Sequence, residues 1–195
     1  MNPWNVAFLV GFVVYVAIRG HYEKRLKGVE TVRSERDGVE VAALAFVAVG
    51  CMLLPLLYVF TPLLAFADYD LPRVAPWCGI GVMAAGLLLF QRSHADLDRN
   101  WSFTLEVRRD HRLVSHGVYR LIRHPMYAAI LLIGVAQGLL LANWLAGWSA
   151  LVSFGVLYAL RVRREEALML ATFGDAYRDY MARTGRLFPR LGPEK

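Results

Sequence analysis

Long apolar segments divide this chain, and they restrict its fold more than any other feature of the sequence. A helix needs about 20 mostly apolar residues to cross the hydrocarbon core of a bilayer, within a range of roughly 17 to 25. Four or five segments approach that length: 3–18, 39–67, 74–90, 125–142 and 144–160. The pattern predicts an all-α fold, namely a polytopic integral membrane protein with about five transmembrane helices and a cytosolic C-terminal helical segment.

For some of these segments the sequence does not decide how the chain crosses the membrane. The second is long and contains Pro55 and Pro62, which predicts a tilted or kinked span. The fourth and fifth are short and are separated by Asn143 alone, so they form either two crossings or a re-entrant pair joined by a tight turn. The first segment has no basic region before it and no small-residue cleavage site after it, and we expect it to be a retained span.

The basic residues indicate how the predicted spans are oriented. All 22 Lys and Arg residues except Arg73 lie between spans one and two, between spans three and four, or in the C-terminal tail. With five crossings these regions share one membrane face, which the positive-inside rule assigns to the cytoplasm, with the N-terminus outside. Contact with anionic lipid headgroups accounts for the net charge of +6 without a nucleic-acid partner.

The two cysteines, Cys51 and Cys78, both lie within apolar segments. Cysteines in such positions usually act as small buried hydrophobic side chains. They predict neither a disulfide framework nor a metal site.

Polar and ionisable side chains gather on both sides of the apolar hairpin 128–160. GVYRLIRHPMY stands before it at 117–127, and Arg-Glu-Glu follows it at 164–166. Because the hairpin returns the chain to the face that it left, both segments should meet at its mouth. Charged groups are costly at the edge of a membrane, so their presence there predicts a functional site. The stretch 91–124 is also too long for a simple connector.

The segment before the hairpin carries three conformational signals. Gly117 suits a turn with positive φ or a close approach of the backbone to a ligand. Pro125 suits the first turn of a helix, and it should keep the preceding His124 extended with its ring near the hairpin mouth. Tyr127 can direct its hydroxyl back to the same place.

The segment after the hairpin places Arg161, Glu165 and Leu168 on one helical face. In a soluble protein, a solvated amphipathic helix with a weak Arg161–Glu165 pair would explain this pattern. Here Glu165 and Glu166 adjoin an apolar span, where a carboxylate needs a cationic partner or a ligand. Adjacent helical residues point about 100° apart, and the pattern leaves open which glutamate faces a site.

Together these motifs resemble the isoprenylcysteine carboxyl methyltransferase family, part of a wider group that includes the phospholipid N-methyltransferases. The resemblance rests on H-x-L-V-x-x-G-x-Y-x-x-x-R-H-P-x-Y at 111–127, on the apolar hairpin, and on REEALMLATFG at 164–174 with Tyr177, Tyr180 and Pro189 beyond it. It covers roughly residues 100–189. Ala129 stands where this family often has glycine, which affects the expected helix packing.

The resemblance implies that the cofactor is S-adenosylmethionine. It implies cofactor contacts for His111, Leu113, Val114, Gly117, Tyr119, His124, Pro125, Tyr127 and Glu165. The implied catalytic residues are Arg161, Arg164, Glu165 and Glu166: either glutamate would bind polar groups of the cofactor, and either arginine would orient an acidic acceptor. A single domain, 1–195, would comprise N-terminal transmembrane helices (1–93) and a cofactor-binding and catalytic region (94–195).

The implied reaction is methyl transfer to a lipophilic acceptor at the membrane, foremost the carboxylate of a prenylated cysteine or a similar small acid. Such a carboxylate is already ionised, so the reaction needs alignment and exclusion of water and no general base. The alternatives are a phospholipid amine N-methyltransferase, a nicotinamide-dependent enzyme like the sterol reductases, and a non-catalytic scaffold. The chain has no G-x-G-x-x-G, which disfavours a soluble dinucleotide-type fold.

Overall fold

The computed structural model describes residues 2–25, 31–34, 38–97, 106–108 and 113–190. Each apolar segment predicted from the sequence contains helix in this structure. In chain order the helical elements are α1 (Pro3–Arg25), α2 (Gly38–Ala48), a π-helical turn (Val49–Leu53), α3 (Leu54–Phe60), α4 (Ala75–Leu97), α5 (Pro125–Leu140), α6 (Trp144–Phe173) and α7 (Asp175–Arg183). Short 3₁₀ turns occupy Ala65–Ala67 and Gly117–Arg120. Among the described residues, one antiparallel ribbon of β1 (Thr31–Ser34) and β2 (Glu106–Arg108) interrupts this helical fold, and the sequence did not predict it.

Three helical segments within the described ranges are long and apolar enough to cross a membrane: α1, the continuous run Gly38–Phe60, and α6. The chain is therefore an integral membrane protein. The apolar α5 has only 16 residues and is about 24 Å long at 1.5 Å per residue. By the same measure the 30 residues of α6 span about 45 Å, more than the ~30 Å hydrocarbon core, so one end of α6 extends beyond it.

The second apolar segment changes helix geometry where the prolines predicted a kink. Pro55 has no N–H group to donate, and the π-helical turn Val49–Leu53 precedes the short α3 that contains it. Within this turn the Gly50 carbonyl accepts hydrogen bonds from Ser149 Oγ at 2.7 Å and Gln137 Nε2 at 3.3 Å. The Gly50 carbonyl is thus satisfied by side chains of α5 and α6, as polar backbone groups must be inside a bilayer.

Helix α5 packs against α4 and α6 at the centre of the molecule. Ala129, at the position where a glycine was expected from the family resemblance, is fully buried in a core with Phe90, Ile130 and Phe154. The close approach comes instead from Gly86 on α4, where an added Cβ would lie 3.2 Å from the Ala129 carbonyl oxygen. The small residue is therefore Gly86 on α4 and not residue 129 on α5, and the backbones of α4 and α5 still approach closely.

Asn143 makes the predicted tight turn between α5 and α6. Its Oδ1 accepts from the backbone N–H groups of Leu145 and Ala146, so it caps α6. Its Nδ2 donates to the Leu64 carbonyl at 2.6 Å and to Asp68 Oδ1 at 2.8 Å. The two helices therefore run antiparallel, and the C-terminal half of α6 lies at the level of the residues that precede α5.

Candidate functional site

The 3₁₀ turn before α5 is shaped by Gly117 and Asp96. Gly117 has a φ of 57°, which confirms the predicted turn with positive φ. A Cβ at this glycine would lie 2.0 Å from Asp96 Oδ2, which also accepts a hydrogen bond from Val118 N at 2.8 Å. The close approach of the backbone is therefore to Asp96 at the end of α4.

His124 lies between the two glutamates, as the path of the hairpin predicted. Its Nδ1 is 3.7 Å from Glu165 Oε1, and its Nε2 is 3.4 Å from Glu166 Oε1. Pro125 is the first residue of α5, also as predicted. The backbone of His124 has φ −123° and ψ 58°, which departs from the extended conformation expected before proline because its N–H and ring are both held by neighbouring segments.

Glu166 is the centre of an ion-pair network. Arg123 Nη2 is 3.1 Å from its Oε1, and Arg186 Nη2 is 2.6 Å from its Oε2. Arg186 Nε also donates to both carboxylate oxygens at 3.1 Å. The Glu166 side chain is only 5% exposed, and the two arginines compensate its charge. The hydrogen bonds to Glu166 raise the pKa of Arg186.

A C-terminal strap, defined here as residues 184–186, closes this network from outside. Arg123 N donates to the Gly185 carbonyl at 2.8 Å, and His124 N donates to the Arg186 carbonyl at 3.0 Å. The Arg123 guanidinium donates to the carbonyls of Met181 and Thr184 at the end of α7. One arginine therefore joins the segment before α5, α6 and the strap.

Two tyrosines of α7, Tyr177 and Tyr180, are buried beside this ion-pair network. Burial raises the pKa of Tyr180 to about 12, although the charge of Arg123 opposes the shift. Burial also raises the pKa of Tyr177, and the charges of Glu166 and Glu165 add to the shift. Both hydroxyls stay protonated at neutral pH, and Tyr180 donates to the Tyr119 carbonyl at 2.7 Å.

Glu165 has different surroundings from Glu166. Its Oε2 accepts a hydrogen bond from Tyr127 Oη at 2.7 Å, and 30% of its side chain is exposed. The Tyr127 ring packs against Phe154 and Tyr158, with centroid distances of 5.8 and 5.4 Å. Glu165 is thus a carboxylate that faces a cavity beside aromatic rings.

This cavity has a volume of about 560 Å³ and joins polar and apolar walls. The polar end includes Glu165, His124, Arg123 and Arg161. The apolar walls come from α5 and α6 and also from α1 and α2, with Phe12 and Leu44 among their residues. The N-terminal helices therefore form part of the site, which the sequence motifs alone did not indicate.

Most of the predicted site residues reach this cavity. Its walls include Leu113, Val114, Tyr119, His124, Tyr127, Arg161 and Glu165. Glu166 lies behind His124, Pro125 is buried at the start of α5, and Gly117 is exposed beside Asp96. Arg164 is exposed and is not among the cavity residues. His111 lies outside the described residues.

Sequence reasoning missed Arg186 and Glu40, and it gave Arg123 no role. Glu40, 4% exposed on the first turn of α2, lies with its Oε1 3.5 Å from Arg161 Nε. A carboxylate near the start of the predicted apolar segment 39–67 was a usable signal for Glu40. For Arg186 no local signal exists, since its partner Glu166 lies 20 residues earlier.

The fold and the cavity define the class of the protein: a helical integral membrane protein with a charged site at the end of an apolar helix pair. Residues 79–171 match the model of the isoprenylcysteine carboxyl methyltransferase family, which confirms the resemblance drawn from the sequence motifs.

Individual proteins give the same result. The chain is 28% identical over 107 residues to protein-S-isoprenylcysteine O-methyltransferase B of Arabidopsis thaliana, covering 54% of each chain. It is 28% identical over 131 residues to form A of the same plant, covering 66% of each. The chain thus spans about half to two thirds of the length of these curated relatives. A solved eukaryotic intramembrane Ras methyltransferase of the isoprenylcysteine carboxyl type has the same fold, with a TM-score of 0.61 and 22% identity over all of this chain and 71% of the other.

Proposed function

We propose that the chain is an S-adenosylmethionine-dependent methyltransferase that acts on a lipophilic acceptor at the membrane, foremost the carboxylate of a prenylated cysteine or a similar small acid. The observation that carries this proposal is the position of Glu165. Its partly exposed carboxylate opens into a cavity that continues between apolar helices. One cavity can therefore receive a cationic donor and a lipid-tailed acceptor together.

The residues of the cavity fit this cofactor. Its sulfonium and ammonium groups are cationic and suit the Glu165 carboxylate and the faces of Tyr127 and Phe154. Its amino-acid carboxylate suits Arg123, which lines the wall at the polar end. The volume of about 560 Å³ lies within the usual range for small-molecule sites, roughly 300 to 1,000 Å³.

The side chains present suit methyl transfer to an anionic oxygen. The bound cofactor supplies an electrophilic methyl group: as the acceptor oxygen forms the new C–O bond, the C–S bond breaks with its electron pair left on sulfur, giving a methyl ester and S-adenosylhomocysteine. No proton moves, so the task of the protein is alignment and exclusion of water. Tyr127 and His124 hold Glu165 in place, and the strap and α7 cover the polar end.

A phospholipid amine is the alternative acceptor, and it would require a group that takes a proton from the attacking nitrogen. His124 lies between two carboxylates and is the side chain in the site that fits this role. The two acceptor classes therefore differ in whether His124 is needed for proton transfer.

We also propose that all five apolar segments cross the membrane, with the N-terminus outside and the active site at the cytoplasmic face. The asymmetric distribution of Lys and Arg supports this orientation. The Asn143 turn supports it too, because it directs α5 and α6 back to one face. Residues 94–195 would then supply the cofactor region, and 1–93 would supply the membrane helices that complete the cavity.

The test is transfer of a labelled methyl group from S-adenosylmethionine by the purified chain in detergent. The acceptor panel contains a farnesylated cysteine, a fatty acid, phosphatidylethanolamine and a thiol. We expect an ester product with the farnesylated cysteine and binding of S-adenosylhomocysteine by calorimetry. Binding of a nicotinamide cofactor with no methyl transfer to any acceptor would refute the proposal and favour a reductase.

A further inference from the structure

A buried ion pair joins α2 to α6 beside the cavity. Glu40 Oε1 lies 3.5 Å from Arg161 Nε, and the two side chains are 2% and 11% exposed. Glu40 lies on the first turn of α2, where the positive end of the helix dipole stabilises a carboxylate. It precedes the segment 79–171 that matches the family, so the comparison gives it no role.

Stability alone is a weak reason for this pair. Two charges lose their hydration when they are buried, and well-packed apolar side chains of similar size are often at least as stable. The position of the pair relative to the cavity is more informative. Arg161 lines the cavity wall whereas Glu40 does not, so Glu40 contacts the guanidinium from the side away from the ligand space.

The chemistry of the guanidinium suits such an arrangement. It is planar and has five N–H donors in a rigid fork, more than one carboxylate can accept. A carboxylate at one edge therefore sets the plane and direction of the whole group. Arg161 is one helical turn before Glu165, which accepts a hydrogen bond from the Tyr127 hydroxyl at 2.7 Å. Tyr127, Arg161 and Glu165 line the same cavity, and Glu40 contacts Arg161 from behind.

We propose that Glu40 is a positioning residue that orients the Arg161 guanidinium at the cavity wall, and that Arg161 binds the carboxylate of the acceptor. This inference rests on the proposed function and narrows its substrate class to lipophilic acceptors with a carboxylate at the reacting end. Glu165 and Arg161 then serve opposite charges: Glu165 faces the cationic donor, and Arg161 faces the anionic acceptor. A zwitterionic phospholipid headgroup matches this arrangement less well.

The experiment compares the full chain with its Glu40→Gln variant in detergent. The acceptor is N-acetyl-S-farnesylcysteine, and its carboxamide serves as an uncharged competing ligand. We expect the KM for the acceptor to rise about tenfold or more with kcat changed by less than about threefold, because ground-state and transition-state binding weaken together. The preference for the carboxylate over the carboxamide should fall by a similar factor. The affinity for S-adenosylhomocysteine, measured by calorimetry, should stay the same.

Two further variants make the result specific. Glu40→Asp keeps the charge but withdraws it by one methylene, and its acceptor KM should lie between those of the wild type and Glu40→Gln. Asp175→Asn removes an exposed carboxylate of α7. It should leave the acceptor KM, kcat and the affinity for S-adenosylhomocysteine unchanged. If Glu40→Gln does not fold, Glu40→Asp decides the question.

An unchanged acceptor KM in a folded Glu40 variant would overturn the inference. An equal loss of cofactor affinity would do the same, because it would indicate a general structural role. A wild-type protein that methylates none of the acceptors would instead refute the proposed function.

Discussion

Glu165 and Glu166 show how two identical neighbouring side chains acquire different roles. Adjacent residues of a helix point about 100° apart, so one carboxylate faces the cavity and the other faces the protein. Glu165 is 30% exposed and bonds to Tyr127. Glu166 is 5% exposed and bonds to Arg123 and Arg186. The first is placed to meet a ligand, and the second holds three segments of the chain together.

Substitution of Glu165 should therefore impair binding more than folding. We expect Glu165→Gln to weaken the binding of S-adenosylhomocysteine about tenfold or more, which corresponds to about 1.4 kcal/mol, because it removes the carboxylate at the cavity wall. The unfolding temperature should change little. Calorimetric titration and thermal unfolding of the purified variant measure the two effects. An unaltered affinity would show that the cofactor does not contact Glu165.

The Glu166→Gln variant should impair folding more than ligand binding. It leaves Arg123 buried without its carboxylate, and breaking a buried ion pair costs about 3 to 5 kcal/mol. Arg186→Gln should cost less, because 46% of the Arg186 side chain is exposed. Denaturant unfolding followed by tryptophan fluorescence can rank the two variants. Equal losses of stability would contradict the central position of Glu166.

The sequence predicted one part of the site and missed another for a physical reason. His124, Tyr127 and the glutamates were predictable because a proline, a helical period and a hairpin fix their mutual positions locally. Glu40 stood out only as a charge at the start of an apolar segment, and Arg186 did not stand out at all. Their partners could not be predicted, because these contacts join separate segments of the chain. Such pairing depends on how helices and the strap pack, and no local pattern encodes it.

At the scale of elements, the π-helical turn shows how an irregular backbone fits within apolar surroundings. Its Gly50 carbonyl is bonded to Ser149 and Gln137. The two prolines of this segment predicted a change of geometry there, but not its type. Pro55 removes one backbone donor from this segment whichever geometry the helix adopts, so the prolines alone do not predict a π turn.

The close approach at this turn leads to a prediction with a matched control. An added Cβ at Gly50 would lie 2.3 Å from Ser153 Oγ and 2.5 Å from the Ser149 carbonyl oxygen. Overpacking of this kind costs about 1 to 3 kcal/mol, so Gly50→Ala should lower the unfolding temperature. Gly81→Ala on α4 is the control, because nothing lies within 4 Å of its added Cβ. A smaller loss for Gly50→Ala than for Gly81→Ala would contradict the packing of α2 and the π turn on α6.

At the scale of the whole molecule, helices from both halves of the chain form one cavity. α1 packs on α4 and α5, whereas α2 packs on α6, and both contribute to its walls. The apolar pattern predicted these helices as spans, and their helical structure is confirmed. It could not predict that they line the site, because helices in lipid pair through shape and small residues, with little contribution from hydrophobic pattern.

The proposed orientation can be tested with single cysteines in a background without Cys51 and Cys78. Asp70→Cys lies in the connection before α4, and Asp175→Cys lies on α7; both positions are exposed. In intact cells, a membrane-impermeant maleimide should label Asp70→Cys, and it should label Asp175→Cys only after permeabilisation, since the two positions lie on opposite faces. The reverse pattern of labelling would invert the topology, and labelling of both would exclude five crossings.

The strap also has a consequence for biosynthesis. Residues 184–186 are translated after every helix of the site, yet they hold the backbone of Arg123 and His124 in place. A ribosome must therefore finish α7 and release the residues beyond it before the backbone of Arg123 and His124 can form these hydrogen bonds. During synthesis the helices can therefore insert and pair one after another before the strap closes the polar end of the cavity.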